Sequence, residues 1–146
     1  TFLLYPLSLK LFRKKYSSPA PASDEKLPSV AIMIAAYNEE AVIGQKVQNC
    51  LDQDYPREKL QVFIGSDGSR DRTDEIVMSF ADSRVKLVRP KGRNGKPLVL
   101  NYLYHAANDA EILVISDADV IWDRDAVRMA ARHFADPLVG VVSCGR

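Results

Sequence analysis

Apolar residues fall along this chain in short unbroken runs, and between the runs they recur every three or four positions. Val30 to Ala36 (VAIMIAA) is continuous and apolar, the pattern of a strand covered on both faces. Leu60 to Gly65, Arg84 to Val88, Glu111 to Ile115 and Leu138 to Ser143 read as further strands. Ile43, Val47, Cys50 and Leu51 stand at helical spacing, with Asn38 a candidate N-cap. Ile76, Val77 and Phe80 form a second stripe that Asp71 can cap. Leu100, Leu103, Tyr104 and Ala107 form a third, with Pro97 suited to its first turn. Val127, Ala130, Ala131 and Phe134 form a fourth, begun by Asp123. Strands alternating with helices predict an α/β fold, a mostly parallel sheet flanked by helices on both faces.

Sheets of this kind bind ligands beyond the carboxyl ends of their strands. Polar clusters stand at those ends: Tyr37-Asn38-Glu39 after the first, Ser66-Asp67-Gly68-Ser69 after the second, Asp117-Ala118-Asp119 after the fourth. The top edge of the sheet is therefore polar and acidic.

At 146 residues and 47% hydrophobic, the chain suits one domain. A net charge of +1 excludes a strongly polycationic nucleic-acid binder as a global property. Cys50 and Cys144 make neither a disulfide framework nor zinc-ligand spacing, and each reads as a small buried hydrophobe, in keeping with a reducing compartment. The average charge hides a division. Residues 1–16 carry Lys10, Arg13, Lys14 and Lys15 and no acid, which leaves residues 17–146 with 16 basic and 19 acidic groups. An apolar start followed by basic residues is the pattern of a membrane-helix end, or an interfacial anchor, meeting the cytoplasm. Residues 17–29, with three prolines and four serines, read as a linker, and the folded part is expected from Val30.

Asp117 and Asp119 carry the sharpest chemistry. Two carboxylates flanking Ala118 at the end of an apolar strand can converge on one hard cation, Mg²⁺ or Mn²⁺, shared with a phosphate. Between Asp82 and Asp109 there is no acid, while Arg84, Lys86, Arg89, Lys91, Arg93 and Lys96 fall close together. Most of these six read as a solvated basic loop; Lys96, beside Gly95 at a helix start, is the one expected to meet a diphosphate. RPKGRNGKP is not a Walker A loop, because Pro90 replaces its first Gly and Pro97 its Ser/Thr. Asp67, on a Gly-rich turn, can accept from ribose hydroxyls or a base N–H, or bond locally to Ser69. Tyr37 can stack on a base or cover the sheet edge, and Glu39 and Glu40 begin a helix, where its dipole alone accounts for them. His105 and His133 read as structural. Trp122 can wall the site or simply pack.

Together, AYNEE (36–40), GSDGSRDRT (65–73), GKPLVLN (95–101) and DAD (117–119) resemble the family 2 glycosyltransferases of the GT-A fold, over about residues 30–146. The resemblance implies a nucleotide-sugar donor, commonly UDP-linked, lying across the strand ends. It sets Ala35, Tyr37 and Glu39 around the base and ribose, Asp67 on the nucleoside, Lys96 near the base or phosphates, and Asp117 near the sugar or ribose. Asp119 would hold the divalent metal that bridges the diphosphate. The implied reaction is inverting transfer to a glycan or lipid acceptor at the cytoplasmic face of the cell membrane. Ser66 stands where the family often has the first Asp of DDGS. The family's catalytic base and acceptor motifs are expected beyond Arg146, which makes the chain the donor-binding portion of a larger enzyme. A non-catalytic nucleotide-binding or assembly domain of the same descent is the alternative. A haloacid-dehalogenase-type phosphohydrolase fits less well, since its DxD follows the first strand; a sugar-nucleotide nucleotidyltransferase would carry a Gly-rich basic loop where this chain has YNEE.

Overall fold

The computed structural model describes residues 27–143. Strand β1 (Val30–Ala36) lies inside the sheet, and its unbroken apolar run is explained by what covers each side. Because side chains alternate along a strand, Val30, Ile32, Ile34 and Ala36 enter one core cluster, and Ala31 and Met33 enter the other. All six are buried. At about 1.5–3 kcal/mol for each large apolar side chain removed from water, this strand anchors both layers.

The remaining elements follow the expected alternation. Helix α1 (Ile43–Leu51) leads through a 3-10 turn (Arg57–Lys59) to β2 (Leu60–Ser66). Helix α2 (Thr73–Met78) leads to β3 (Val85–Val88), α3 (Lys96–Ala106) to β4 (Ile112–Ser116), and α4 (Ala126–His133) follows. All pairings are parallel, in the order β3-β2-β1-β4. Residues of α1, α2 and α4 pack on one face, around Ile43, Val47, Val77, Val127 and Ala131. Val99 and Leu103 of α3, with Ala107 beyond it, pack on the other, against Phe63. Chain order reverses between β1 and β4, which is where an open parallel sheet leaves a crevice at its carboxyl edge.

Register sets what meets in that crevice. Ala36 pairs with Ser66 and Ile34 with Ser116, so the strands end nearly level. The Asp67 N–H extends the ladder by donating to the Ala36 carbonyl at 2.9 Å. Gly65 supplies the clearance beneath: a Cβ there would lie 2.3 Å from Val99 Cγ1.

Several expectations are corrected. No strand forms over 138–143 among the described residues; Leu138 and Val141 are each 87% exposed, with no neighbouring strand to pair. Among the described residues, packing already includes Leu27 and Pro28, inside the expected linker: Leu27 enters the core and Pro28 accepts a 2.7 Å bond from the Tyr55 hydroxyl. Asn38 is not an N-cap. It adopts φ 54° and its side-chain oxygen accepts from the Arg70 N–H at 2.9 Å, while α1 starts only after Val42. On α3 the buried stripe is Val99 and Leu103, continued by Ala107, and Tyr104 faces outward at 54% exposure. The membrane-like segment at residues 1–16 and Cys144 lie outside the described residues. Among the described residues, no helix is long and apolar enough to cross a membrane.

Candidate functional site at the carboxyl edge of the sheet

A cavity of about 480 Å³ opens at the carboxyl ends of the strands. Ala35, Tyr37 and Glu39 enter it from the end of β1 and the loop after it. Asp67 reaches it from β2, Lys96 from the start of α3, and Asp117 and Asp119 from the turn after β4. These seven residues, which the resemblance sets around a donor, line one space, whereas Trp122, the candidate wall, packs against the core instead.

The loops after β1 and β2 are zipped together. Asn38 N–H donates to Ser69 Oγ (3.2 Å), Glu39 N–H to Thr73 Oγ1 (2.8 Å), and Glu40 N–H to an Asp71 oxygen (3.0 Å). In return Arg70 N–H donates to Asn38 and Arg72 N–H to Glu40. Main-chain groups without strand or helix partners are thereby satisfied, and the cavity wall is held by side chains 31 to 34 positions away.

Asp67 does more than face a ligand. Its Oδ1 accepts the Asn94 N–H at 2.6 Å and its Oδ2 the Gly95 N–H at 2.8 Å. Burial pushes this carboxyl up, but the bonds from Asn94 and Gly95 outweigh it and hold it below the usual aspartate range. The local bond to Ser69 does not form; Ser69 Oγ instead lies 3.0 Å from Ser66 Oγ. Glycine is required at Gly68, where φ is +73° and a Cβ would stand 3.0 Å from the Gly92 carbonyl. Asp67 and Gly68 therefore clamp the basic loop over the end of β2.

Asp117 and Asp119 are exposed on the cavity side, and the Ala118 between them is buried. Lys96 forms an ion pair with Asp117 in which both side chains are about half exposed. Among the described residues, no cluster of three or more His, Cys, Asp or Glu is arranged to hold a metal ion. Two carboxylates are what a Mg²⁺ or Mn²⁺ uses when phosphate oxygens and water complete its shell, so the donor set fits a cation that arrives with a diphosphate.

Comparison with known proteins bears on the family and the fold. The model of the family described as glycosyl transferase family 2 matches residues 31–146. The chain belongs to glycosyl transferase family 2. This family 2 chain is 35% identical over 148 residues to the beta-monoglucosyldiacylglycerol synthase of Synechocystis sp., a match covering 93% of the chain and 31% of that protein. It is similar to the structure of mannosyltransferase PcManGT from Pyrobaculum calidifontis in complex with GDP-Man and Mn²⁺, at a TM-score of 0.86 and 38% identity. That match covers 99% of the chain and 43% of the mannosyltransferase, so the chain spans well under half the length of both relatives. Staphylococcus aureus TarS in complex with UDP, at a TM-score of 0.64 and 22% identity over 74% of the chain, shares the fold.

Two cations, one lining the cavity and one buried in α1, stand apart from the local pattern. Arg93, grouped with the solvated basic loop, lines the cavity with its guanidinium carbon 3.5 Å from the centroid of the Tyr37 ring. Three other members of that loop serve structure: Arg84 binds Asp82 at 2.9 Å, Arg89 binds Asp74 at 2.6 Å, and Lys86 donates to Gln61. Nothing in the local pattern distinguishes Arg93 from them, because its partner is 56 positions away. Lys46 lies within the α1 stripe and is fully buried. Burial lowers its ammonium below the ordinary lysine value, opposed by Cys50 and then by Asp117 and Asp119. The apolar pattern points to Ile43, Val47 and Cys50, so a lysine between the first two reads as solvent-facing until the fold is known.

Proposed function

We propose that the enzyme containing this chain transfers a sugar from a nucleoside-diphosphate sugar, UDP-linked, to a glycan or lipid acceptor with inversion, in a metal-dependent reaction. The observation that carries the reading is the meeting of Tyr37, Asp67, Lys96, Asp117 and Asp119, from four separate stretches of chain, around one polar cavity. In this reading Ala35, Tyr37 and Glu39 surround the base and ribose, and Asp67 faces the nucleoside with the lone pairs its loop contacts leave free. Lys96 and Asp117 lie beside the diphosphate and the sugar. Asp119, with Asp117, would hold Mg²⁺ or Mn²⁺, and a cation there would neutralise the departing diphosphate. The acceptor and the base that deprotonates it belong, in this reading, to a segment beyond Arg146. The basic residues near the start of the chain support attachment at the cytoplasmic face of a membrane.

The GDP-Man and Mn²⁺ in the mannosyltransferase complex support the donor class and the metal, and make guanosine the competing base. The glycolipid product in the name of the synthase supports a lipid acceptor. Calorimetric titration of UDP and of GDP, each with and without MnCl₂, tests the reading on the wild type and Asp119→Ala. Mn²⁺-dependent binding of one nucleotide, lost in the variant, is expected. Binding that ignores Mn²⁺ and the substitution would overturn it.

A further inference from the structure

Residues 120–125, between the acidic turn and α4, belong to neither a helix nor a strand, yet side chains from one face of the α1 region hold their main chain. Lys46 Nζ donates to the Val120 carbonyl at 2.6 Å. Asn49 grips both sides of Trp122: its Nδ2 donates to the Trp122 carbonyl at 2.8 Å, and its Oδ1 accepts the Trp122 N–H at 3.0 Å. One turn further, Gln53 donates to the Asp123 carbonyl at 3.0 Å and accepts the Val127 N–H at 3.1 Å. Lys46 and Asn49, three positions apart, project from one side of α1, and Gln53 follows two residues beyond its end.

The first rung of this ladder is unusual. A carbonyl can be satisfied by a neutral amide, as at the two rungs below, but here a fully buried ammonium serves. Its ring contact is the face of Trp122, 3.7 Å from centroid to Nζ. A buried cation is costly to desolvate and persists where anionic groups and fixed dipoles offset it. Asp117 and Asp119, three residues and one before the carbonyl it holds, offset part of the cost of its burial.

The acidic turn is thus held at both ends. On one side Ser116 is fixed in β4, in register with Ile34. On the other, Val120 and Trp122 are fixed to α1. We propose that Lys46 and Asn49 are positioning residues for Asp119, setting its carboxylate before any cation binds; this rests on the reading of the cavity as a metal and nucleoside-diphosphate site. Neither residue lines the cavity, and both act through the main chain of residues 120–122.

The test uses the full chain with Lys46→Met, which keeps the length of the stem, Lys46→Arg, which keeps the charge, and Asn49→Ala. Mn²⁺ binding is read from the loss of the free-ion electron paramagnetic resonance signal in the presence of UDP or GDP, and nucleotide binding without metal from calorimetry. Lys46→Met and Asn49→Ala are each expected to raise the Mn²⁺ concentration for half-saturation about tenfold, with metal-free nucleotide binding unchanged within twofold. Lys46→Arg is expected to restore most of the loss. A lysine acting only as a distant charge would do the opposite, because removing it would tighten Mn²⁺ binding. Tighter or unchanged Mn²⁺ binding in Lys46→Met therefore overturns the proposal. If Lys46→Met does not fold, unchanged Mn²⁺ binding in Asn49→Ala overturns it. A wild type that binds neither nucleotide with Mn²⁺ overturns the underlying reading of the cavity, a result distinct from failure of the variants.

Discussion

The guanidinium of Arg93 stacks on the ring of Tyr37, 3.5 Å from its centroid, across the mouth of the cavity. A planar cation on an aromatic face occupies the kind of space a nucleobase takes when it stacks. Tyr37→Ala is expected to weaken UDP or GDP binding by about 1–3 kcal/mol, the worth of a base–aromatic stack. Arg93→Ala is expected to weaken it by less and to flatten its salt dependence, as a lost phosphate contact does. Calorimetry at two salt concentrations checks both. Tighter binding in Arg93→Ala would mean that the arginine only blocks the face.

Asp67→Asn replaces an oxygen that accepts a main-chain N–H with an amide that cannot. Loss of the bond to either Asn94 or Gly95 frees the loop before α3. An unsatisfied buried group of this kind costs about 1–3 kcal/mol. Urea denaturation should show that loss, and amide exchange at Asn94 and Gly95 should accelerate.

Acid stability follows from the same kind of carboxylate. Asp82 is held well below the usual range by its bonds from Arg84 and the nearby Arg57, and Glu111 by the Ser29 main-chain and side-chain donors. Asp67 is lowered in spite of its burial. A carboxyl whose folded value is depressed adds stability that is present above its unfolded value and lost as pH falls through the folded one. The urea midpoint is therefore expected to hold steady down to about pH 5 and to fall below about pH 4, where unfolded carboxylates begin to take up protons. Asp82→Asn should reduce the stability at pH 7 and make the acid decline shallower. An unchanged slope would remove these ion pairs from the account.

Gly65→Ala tests the seam between β2 and α3. The added methyl would meet Val99 Cγ1 at 2.3 Å and both Leu103 Cδ atoms at 3.2 Å, so the helix carrying Lys96 must shift. Overpacking of this kind costs about 1–3 kcal/mol, and the thermal midpoint should fall accordingly. Val99→Ala in the same chain should recover part of it, since the two positions compete for one volume.

Much of this protein is legible along the chain because parallel strands and their covering helices write local patterns. VAIMIAA is apolar at consecutive positions because both of its faces are buried, and β1 has the bounds that this run predicts. The polar residues after β1, β2 and β4 stand out because a carboxylate at the end of an apolar strand has no local reason to be there. The expected strand at 138–143 failed for the complementary reason: an apolar run forms a strand only beside a partner, and none is present among the described residues.

Local spacing was enough for the α/β class, for the order of elements as far as α4 and for the polar character of the strand ends, since each rests on a pattern within a few positions. It took the three-dimensional fold to bring Arg93 beside Lys96 in the cavity, to set Asp67 as the clamp on a loop 27 positions away, and to bury Lys46 beneath the acidic turn. These depend on strand order and on contacts between distant segments. A side chain's partner across the fold leaves no mark on the residues beside it.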